Sequence, residues 1–227
     1  MSASAAARQV SAFGWVPDFA RGQVRDLRVR WALEEAGLPY SAALLDPGPD
    51  ADDPYRAWQP FGQVPAYRDD QVEMFESGAI VLHIAEQSPV LCPADPAGRA
   101  RMQTWLIAAL NSVEPMVQDY GSIELFHAGE AWVAERKPQL REMVAGRLAD
   151  LSRALGDRAW FAGPFSAADI LMVTVLRIIE DDEVMAGFPT LAAYVARGVA
   201  RPAFQRALNA QLADFSDEPP AKFREEP

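Results

Sequence analysis

Residues 59–80 read QPFGQVPAYRDDQVEMFESGAI, and this stretch decides how the first part of the chain folds. Two short β-patterned runs, VPAYRD at 64–69 and VEMF at 72–75, are separated by turn-forming residues around Asp70. A pattern typical of a helix follows from Ser77 to Gln87. The stretch therefore predicts a β-hairpin that leads directly into a helix.

The same stretch carries groups suited to holding a peptide. Pro65 removes one backbone donor at the start of a strand but leaves the backbone of Val64 free to pair with an extended chain. Ser77 can cap the following helix, whose first N–H groups can hold a carboxylate, and Glu76 beside it can bind an ammonium. These residues fit a ligand with an extended backbone and a free α-amino acid end.

The residues before this stretch predict the rest of a mixed sheet. A strand is expected over 9–16, a helix over 22–36 that stops at Gly37, and a second strand over 38–46. The resulting order, with one helical crossover and a terminal hairpin, is typical of a mixed sheet covered by helices.

The residues after it predict a different architecture. SPVLCPADPAG at 88–98 contains three prolines and indicates a linker. We therefore expect an α/β domain at 9–88, a linker at 89–98, an all-α domain at 99–215 and a loose C-terminal tail from Ser216. The expected helices of the second part cover 97–119, 138–155, 167–180, 189–198 and 201–213, and Pro115 should kink or end the first of them.

Four segments in this order resemble the soluble glutathione S-transferase superfamily, including its bacterial members. They are the stretch at 59–80, RVRWALEEAGLPY at 28–40, FSAADI at 165–170 and FPTLAAYVARGVARPAFQRAL at 188–208. The resemblance covers roughly residues 9–213. It implies a thioredoxin-like N-terminal α/β domain, an all-α C-terminal helical domain and assembly as a homodimer.

The resemblance also implies a glutathione site, with glutathione as the substrate. The backbone of Val64 would pair with the cysteinyl part beside a cis Pro65, Gln63 would reach the glycyl or cysteinyl end, and Glu76 and Ser77 would bind the γ-glutamyl group. The alternatives are structural: Ser77 could serve only as a helix cap, and Glu76 only as a charge that interacts with the helix dipole.

Ser166 and Asp169 are expected to be structural. Ser166 should cap the helix at 167–180 and Asp169 should return the hydrogen bond, with Phe165 packing on Ile170. This pattern is a capping box with a hydrophobic staple.

The family's usual thiolate-activating Tyr, Ser or Cys is missing from WVPDFARGQVRDLRVR at 15–30. The expected position falls near Phe19 or Gln23, depending on the direction of counting. Arg21 and Arg25 lie at the predicted helix start, where positive charge lowers a thiol pKa, so they are candidate catalytic residues. Alternatively, these arginines face solvent or pair with nearby acids.

Composition narrows the function classes. The 21 basic and 32 acidic side chains give a net charge of −11, which argues against nucleic acid and anionic membranes as partners. A single cysteine cannot form an internal disulfide. One cysteine and two histidines also argue against a Cys- or His-based metal centre, so we expect no metal. MSASAAAR at 1–8 lacks the apolar stretch of a signal peptide, and a cytoplasmic location is expected.

Two functions follow from these observations. The first is a glutathione S-transferase that conjugates the glutathione thiolate to an unidentified small electrophile. The second is a glutathione-binding, non-catalytic or regulatory protein on the same fold, which the missing Tyr, Ser or Cys favours. Thiol–disulfide exchange through a protein cysteine is disfavoured, because Cys92 lies in the linker.

Overall fold

The structure is a computed structural model that describes residues 8–48, 50 and 52–224. These residues form two compact units, one running up to Ser88 and resuming at Pro202, the other spanning Pro89–Arg201. The expected succession of an α/β part and a helical part is confirmed. The predicted boundaries differ from this division in one respect, because the last long helix groups with the first unit.

The first unit is built on a four-stranded mixed sheet. Its strands and helices are β1 (Arg8–Phe13), α1 (Asp26–Ala36), β2 (Tyr40–Leu45), β3 (Ala66–Arg68), β4 (Glu73–Phe75), α2 (Ser77–Ala85) and α9 (Pro202–Asp214). The strand order is β2-β1-β3-β4, with β1 parallel to β2 and antiparallel to β3, and β3 antiparallel to β4. The hairpin and the crossover helix lie where the alternating and helical patterns place them.

Helix α1 is covered on its buried face by α9. Trp31 of α1 is fully buried and packs edge-to-face on Phe204 of α9, with ring centroids 4.9 Å apart. Such aromatic pairs contribute about 0.5–1.5 kcal/mol beyond the burial of their area. α9 is therefore part of the core that supports α1.

The C-terminal residues are ordered against the same unit, so the expected loose tail is wrong for the described residues 216–224. The Ser216 N–H donates to the Gly14 carbonyl at 2.7 Å, and Lys222 Nζ donates to the Gly48 carbonyl at 2.8 Å. The ring of Phe223 stacks on Trp15. Residues 225–227 lie outside the described residues.

The second unit is helical. It contains α3 (Pro96–Ala108), α4 (Glu114–His127), α5 (Val133–Leu155), α6 (Ala167–Leu176), α7 (Glu183–Ala186) and α8 (Pro189–Val199). The helix predicted over 97–119, with a kink or end at Pro115, is α3 and the start of α4, joined by the π-helical segment Ala109–Val113. Pro115 falls in the first turn of α4, where a missing N–H is tolerated.

Every residue of α6 is buried, which places this helix at the centre of the second unit. At its start the Ser166 N–H and hydroxyl both donate to Asp169 Oδ2, at 3.0 and 3.1 Å. Asp169 also accepts from the Phe161 N–H and the Tyr194 hydroxyl. Burial raises the pKa of Asp169, and these hydrogen bonds partly offset that rise. Ser166 and Asp169 thus hold the core of this unit together.

Candidate functional site

The sheet topology gathers the ends of its four strands at one edge. Because β3 runs antiparallel to β1 and β4, the start of β3 lies at the same edge as the carboxyl ends of β1, β2 and β4. The register pairs Ala66 with Phe75, and these two residues directly follow Pro65 and precede Glu76 along the chain. Neighbouring strands are about 4.8 Å apart. The sequence-predicted peptide-binding residues therefore meet on one short stretch of surface.

Val64 and Pro65 are joined by a cis peptide bond, the form that the family resemblance implied. The Val64 side chain is buried with Tyr55 and Ala66, and Val24 packs against this cluster just before α1. Gln63 is exposed, with its N–H donating to Gln59 Oε1 at 3.2 Å. The start of α1 is thus placed beside the strand that would pair with a ligand.

Glu76 has an unusual backbone conformation. Its φ is +69°, the one positive φ outside glycine in the part of the chain that the structure describes. Strained backbone of this kind costs about 1–3 kcal/mol and is concentrated at functional sites. Glu76 is exposed and occupies the N-cap position of α2, without a side-chain capping bond. Its carboxylate is therefore held at the surface beside the helix start.

Ser77 is the first residue of α2 rather than its N-cap, so the capping role considered from the sequence is wrong. The first backbone hydrogen bond of the helix runs from the Ile80 N–H to the Glu76 carbonyl. The N–H groups of Ser77, Gly78 and Ala79 precede it and have no partner within the helix. A helix start of this kind favours an anionic group.

A buried cation, which the sequence reasoning did not select, lies beside this helix start. Arg28 on α1 is only 4% exposed, and its Nη1 lies 3.3 Å from Ser77 Oγ. Its position in the sequence gave a signal: Arg28 is four residues after Val24 and three before Trp31, on the apolar face of α1. A charged residue on such a face is buried only where polar partners await it.

The two arginines selected from the sequence lie in different surroundings. The Arg21 guanidinium donates to the Ser216 carbonyl at 3.0 Å and pairs with Asp18 and Asp217 at 3.4 and 3.5 Å. Arg25 is exposed at the N-cap position of α1. Arg21 is therefore held by the C-terminal segment, whereas Arg25 lies at the helix start itself.

A buried ionic network anchors the start of α1. Asp26 accepts from Arg30 Nε at 2.7 Å and from Gln211 Nε2 at 2.6 Å, and Gln211 also donates to the Val24 carbonyl. Arg30 pairs in addition with Asp214 at 2.7 Å. Burial raises the pKa of Asp26 to about 6 despite the neighbouring cation. α9 thereby fixes the helix start that faces Val64.

Chemically, this edge offers a carboxylate, a helix N-terminus with a buried guanidinium, and the start of a strand at Val64 and Pro65. That set complements an ammonium, a carboxylate and an extended backbone in one small ligand. Within the described ranges, no group of three or more His, Cys, Asp or Glu side chains is arranged to hold a metal ion. No helix in those ranges is long and apolar enough to span a membrane.

Comparison with known proteins agrees with this geometry. Residues 27–96 match the family model of the glutathione S-transferase N-terminal domain. A glutathione S-transferase of Hyoscyamus muticus is 26% identical over 80% of this chain and 92% of its own length. The resemblance to the soluble glutathione S-transferase superfamily is thereby confirmed.

Solved bacterial structures share the fold. A glutathione transferase of Pseudomonas putida, with glutathione disulfide bound, has a TM-score of 0.76 and 26% identity, and the match covers 89% of this chain and 90% of that one. A family member from Pseudomonas fluorescens, with two glutathione molecules bound, has a TM-score of 0.77 and 26% identity, covering 88% and 92%. The thioredoxin-like first domain and the mostly helical second part match the architecture of these solved structures.

Proposed function

We propose that this glutathione S-transferase superfamily member binds glutathione at the sheet edge and transfers the thiolate to a small electrophile. The observation that carries the proposal is the meeting of Val64, Glu76 and Ser77 at one edge, with Arg28 buried behind them. Glutathione offers the matching groups in the matching order: a free α-amino acid end, then an extended peptide with a thiol in the middle.

In the proposed complex, each part of glutathione has its own partner. The γ-glutamyl ammonium pairs with the Glu76 carboxylate, and its carboxylate accepts from the N–H groups at the start of α2. Arg28 adds positive charge behind that carboxylate, through Ser77. The cysteinyl backbone pairs with Val64, and Gln63 lies next to it on the side of the glycyl end. Charge-assisted hydrogen bonds of this type contribute about 1.5–3 kcal/mol each.

The chemical step needs an ionised thiol next to the start of α1. Val24 packs against the Val64 cluster, so a cysteinyl thiol beside Val64 lies close to the N-terminus of α1. The partial positive charge of that terminus and the exposed Arg25 lower the thiol pKa, and Arg21 contributes less because its guanidinium is held at the Ser216 carbonyl of the C-terminal segment. The thiol gives its proton to solvent, and the thiolate forms a carbon–sulfur bond while the leaving group departs.

Assembly, domain limits and location are part of the same proposal. A homodimer follows from the family resemblance and from the exposed apolar side chains Phe61 and Phe126. Residues 9–88 are the glutathione-binding domain, 89–98 the linker and 99–215 the helical domain; within the last range α9 packs on α1 and groups with the first unit. The cytoplasm, where glutathione keeps thiols reduced, suits the single cysteine. For the homodimer, sedimentation should show a species of twice the monomer mass.

Two other functions use the same glutathione site. The missing Tyr, Ser or Cys between residues 15 and 30 favours a protein that binds glutathione without catalysis. The glutathione disulfide bound to the Pseudomonas putida relative favours a thiol–disulfide exchange between two glutathione-type molecules. In that reaction a bound thiolate attacks a disulfide sulfur, a new disulfide forms and the displaced thiolate leaves, so no protein cysteine is needed.

One set of measurements separates these functions. Calorimetric titration with glutathione tests binding, an activated aryl halide tests conjugation, and a small mixed disulfide tests exchange. The transferase proposal expects saturable binding and conjugation above the uncatalysed rate. Glu76→Ala should bind glutathione more weakly. Glu73→Ala is its matched control, since Glu73 is an exposed carboxylate on β4 that lies three residues from Glu76. Saturable binding without either reaction would leave the binding protein as the function.

A further inference from the structure

A run of three hydrogen bonds, two of them buried and one part-buried, links the residues on either side of the Val64–Pro65 peptide. The Tyr55 hydroxyl donates to the Gln63 carbonyl at 2.6 Å and lies 2.7 Å from Ser11 Oγ. Ser11 Oγ accepts from the Ala66 N–H at 2.6 Å. Both backbone groups that flank Val64 and Pro65 are therefore tied to two side chains from distant parts of the sequence.

Counting protons fixes the direction of this chain. A hydroxyl has one proton, and Tyr55 gives its proton to Gln63, so Ser11 must donate to the Tyr55 oxygen. The run is then Ala66 N–H to Ser11, Ser11 to Tyr55, and Tyr55 to the Gln63 carbonyl. Burial raises the pKa of Tyr55, and its hydroxyl keeps its proton at neutral pH. Each hydroxyl is used as both donor and acceptor, and such chains strengthen cooperatively.

The Ser11 and Tyr55 side chains are both buried, and a buried hydroxyl needs hydrogen-bond partners to offset the loss of water. Ser11 lies inside the central strand β1 and is 0% exposed, and Tyr55 on the 3₁₀ turn Pro54–Ala57 is 7% exposed. The register of β1 with β3 runs through Gln9–Arg68 and Val10–Tyr67. Ser11 Oγ takes the Ala66 N–H at the next position, in place of a backbone acceptor. The Ser11 hydroxyl therefore ends the β1–β3 hydrogen-bond ladder at Ala66, the residue next to Pro65.

From this arrangement we infer that Tyr55 and Ser11 are positioning residues for glutathione. They fix the backbone on both sides of Val64, and so they set where the cysteinyl part of glutathione pairs. The inference rests on the proposed function and adds two residues that do not touch the ligand themselves. A misplaced pairing strand weakens binding even when the rest of the site is intact.

Tyr55→Phe tests the inference with the loss of one hydroxyl, because the ring keeps its packing against Trp58. The expected result is a Kd for glutathione about fivefold to tenfold higher than that of the wild type, the effect of one lost hydrogen bond. In the conjugation assay the KM for glutathione should rise by the same factor, while kcat at saturating glutathione changes little. The Ala66 amide resonance should also shift, because its acceptor loses a partner.

Tyr67→Phe is the matched control. Its hydroxyl is bonded to Asp69 at the opposite end of β3, so the change is chemically identical but lies away from Val64. The control should bind glutathione within twofold of the wild type. Ser11→Ala should weaken binding about tenfold, and the double variant with Tyr55→Phe should be no weaker than Ser11→Ala, since both changes break one chain.

The outcomes are distinguishable. A wild type that does not bind glutathione overturns the proposed function and this inference together. Normal wild-type binding with an unchanged Kd in both folded Tyr55→Phe and Ser11→Ala overturns the positioning role alone. Equal weakening by Tyr67→Phe would show a general loss of stability and would also overturn it. If Tyr55→Phe fails to fold, the Ser11→Ala measurement decides.

Discussion

Substitutions at Glu76 should separate backbone strain from ligand binding. Glu76→Ala and Glu76→Gly both remove the carboxylate, but only glycine adopts a φ of +69° without a steric penalty. Strain at such a position costs about 1–3 kcal/mol, and glycine loses about 0.5–1 kcal/mol more conformational entropy on folding. We therefore expect Glu76→Gly to be more stable than Glu76→Ala by about 1 kcal/mol. For a chain of this size that difference raises the Tm by roughly 2–4 °C.

Both Glu76 variants should bind glutathione more weakly than the wild type, even where stability is unchanged or raised. Either variant leaves the γ-glutamyl ammonium without its carboxylate, which costs about 1–3 kcal/mol of binding free energy. Glu76→Gly should then bind glutathione at least fivefold more weakly than the wild type while melting at the same or a higher temperature. A variant that gains stability and loses affinity shows that the strained residue is kept for its ligand.

The assay pairs thermal unfolding without ligand with calorimetric titration of glutathione. Glu73→Ala, an exposed carboxylate on the neighbouring strand, controls for the loss of negative charge. Undiminished affinity in both Glu76 variants would refute the assignment of Glu76 to the ammonium. A Glu76→Gly protein that melts below Glu76→Ala would refute the strain argument, whatever the affinities.

Three further predictions concern other parts of the molecule. Arg25→Ala should raise the pKa of bound glutathione by up to about one unit, measured by thiolate absorbance against pH, and Arg21→Ala should raise it less; coincident curves for the wild type and both variants would exclude the arginines. Burial alone would raise the pKa of Asp69, but hydrogen bonds from backbone N–H groups and Tyr67 lower it to about 2. Its stabilising effect is complete above pH 3.8 and is lost toward pH 2, so the wild type's advantage over Asp69→Asn should shrink by about 1 kcal/mol between pH 4 and 2 in urea titrations; a constant gap would contradict this. Asp169→Ala should cost about 3–5 kcal/mol in denaturant unfolding because buried donors lose their acceptor, and a loss below 1 kcal/mol would show that the second unit does not depend on it.

Local patterns predicted most of the fold. Alternation and helical periodicity located the hairpin, α1 and α2 within a few residues, because these elements bury one regular face. An interruption within 97–119 was predicted at Pro115, and the π-helical segment Ala109–Val113 lies just before it; the π-helical form itself was not predicted. The C-terminal segment was not predicted, because Ser216, Lys222 and Phe223 are held by a few long-range contacts that leave no periodic signal in the sequence.

The candidate site was predictable where it depends on neighbours in sequence and less so where it depends on distant ones. Val64, Glu76 and Ser77 come from one hairpin, and their spacing already suggested a peptide ligand. Arg28 reaches Ser77 across 49 positions, and Tyr55 reaches Ser11 across 44. Such contacts are fixed by tertiary packing, which local propensity does not encode.

The α1–α9 contact joins two helices that are synthesised at different times. The segment from Pro202 on covers Trp31 and supplies Gln211 and Asp214 to the buried ion pair. It leaves the ribosome only after Pro89–Arg201 has been made. At translation rates of about 5–20 residues per second, that interval is roughly 6–20 s. Throughout it, the nascent first unit lacks the Phe204 contact of Trp31 and the Gln211 and Asp214 partners of the Asp26–Arg30 pair, so we expect it to bind chaperones. A release of the chain before α9 yields a first unit that lacks its cover, and such fragments are expected to be degraded rather than to bind glutathione.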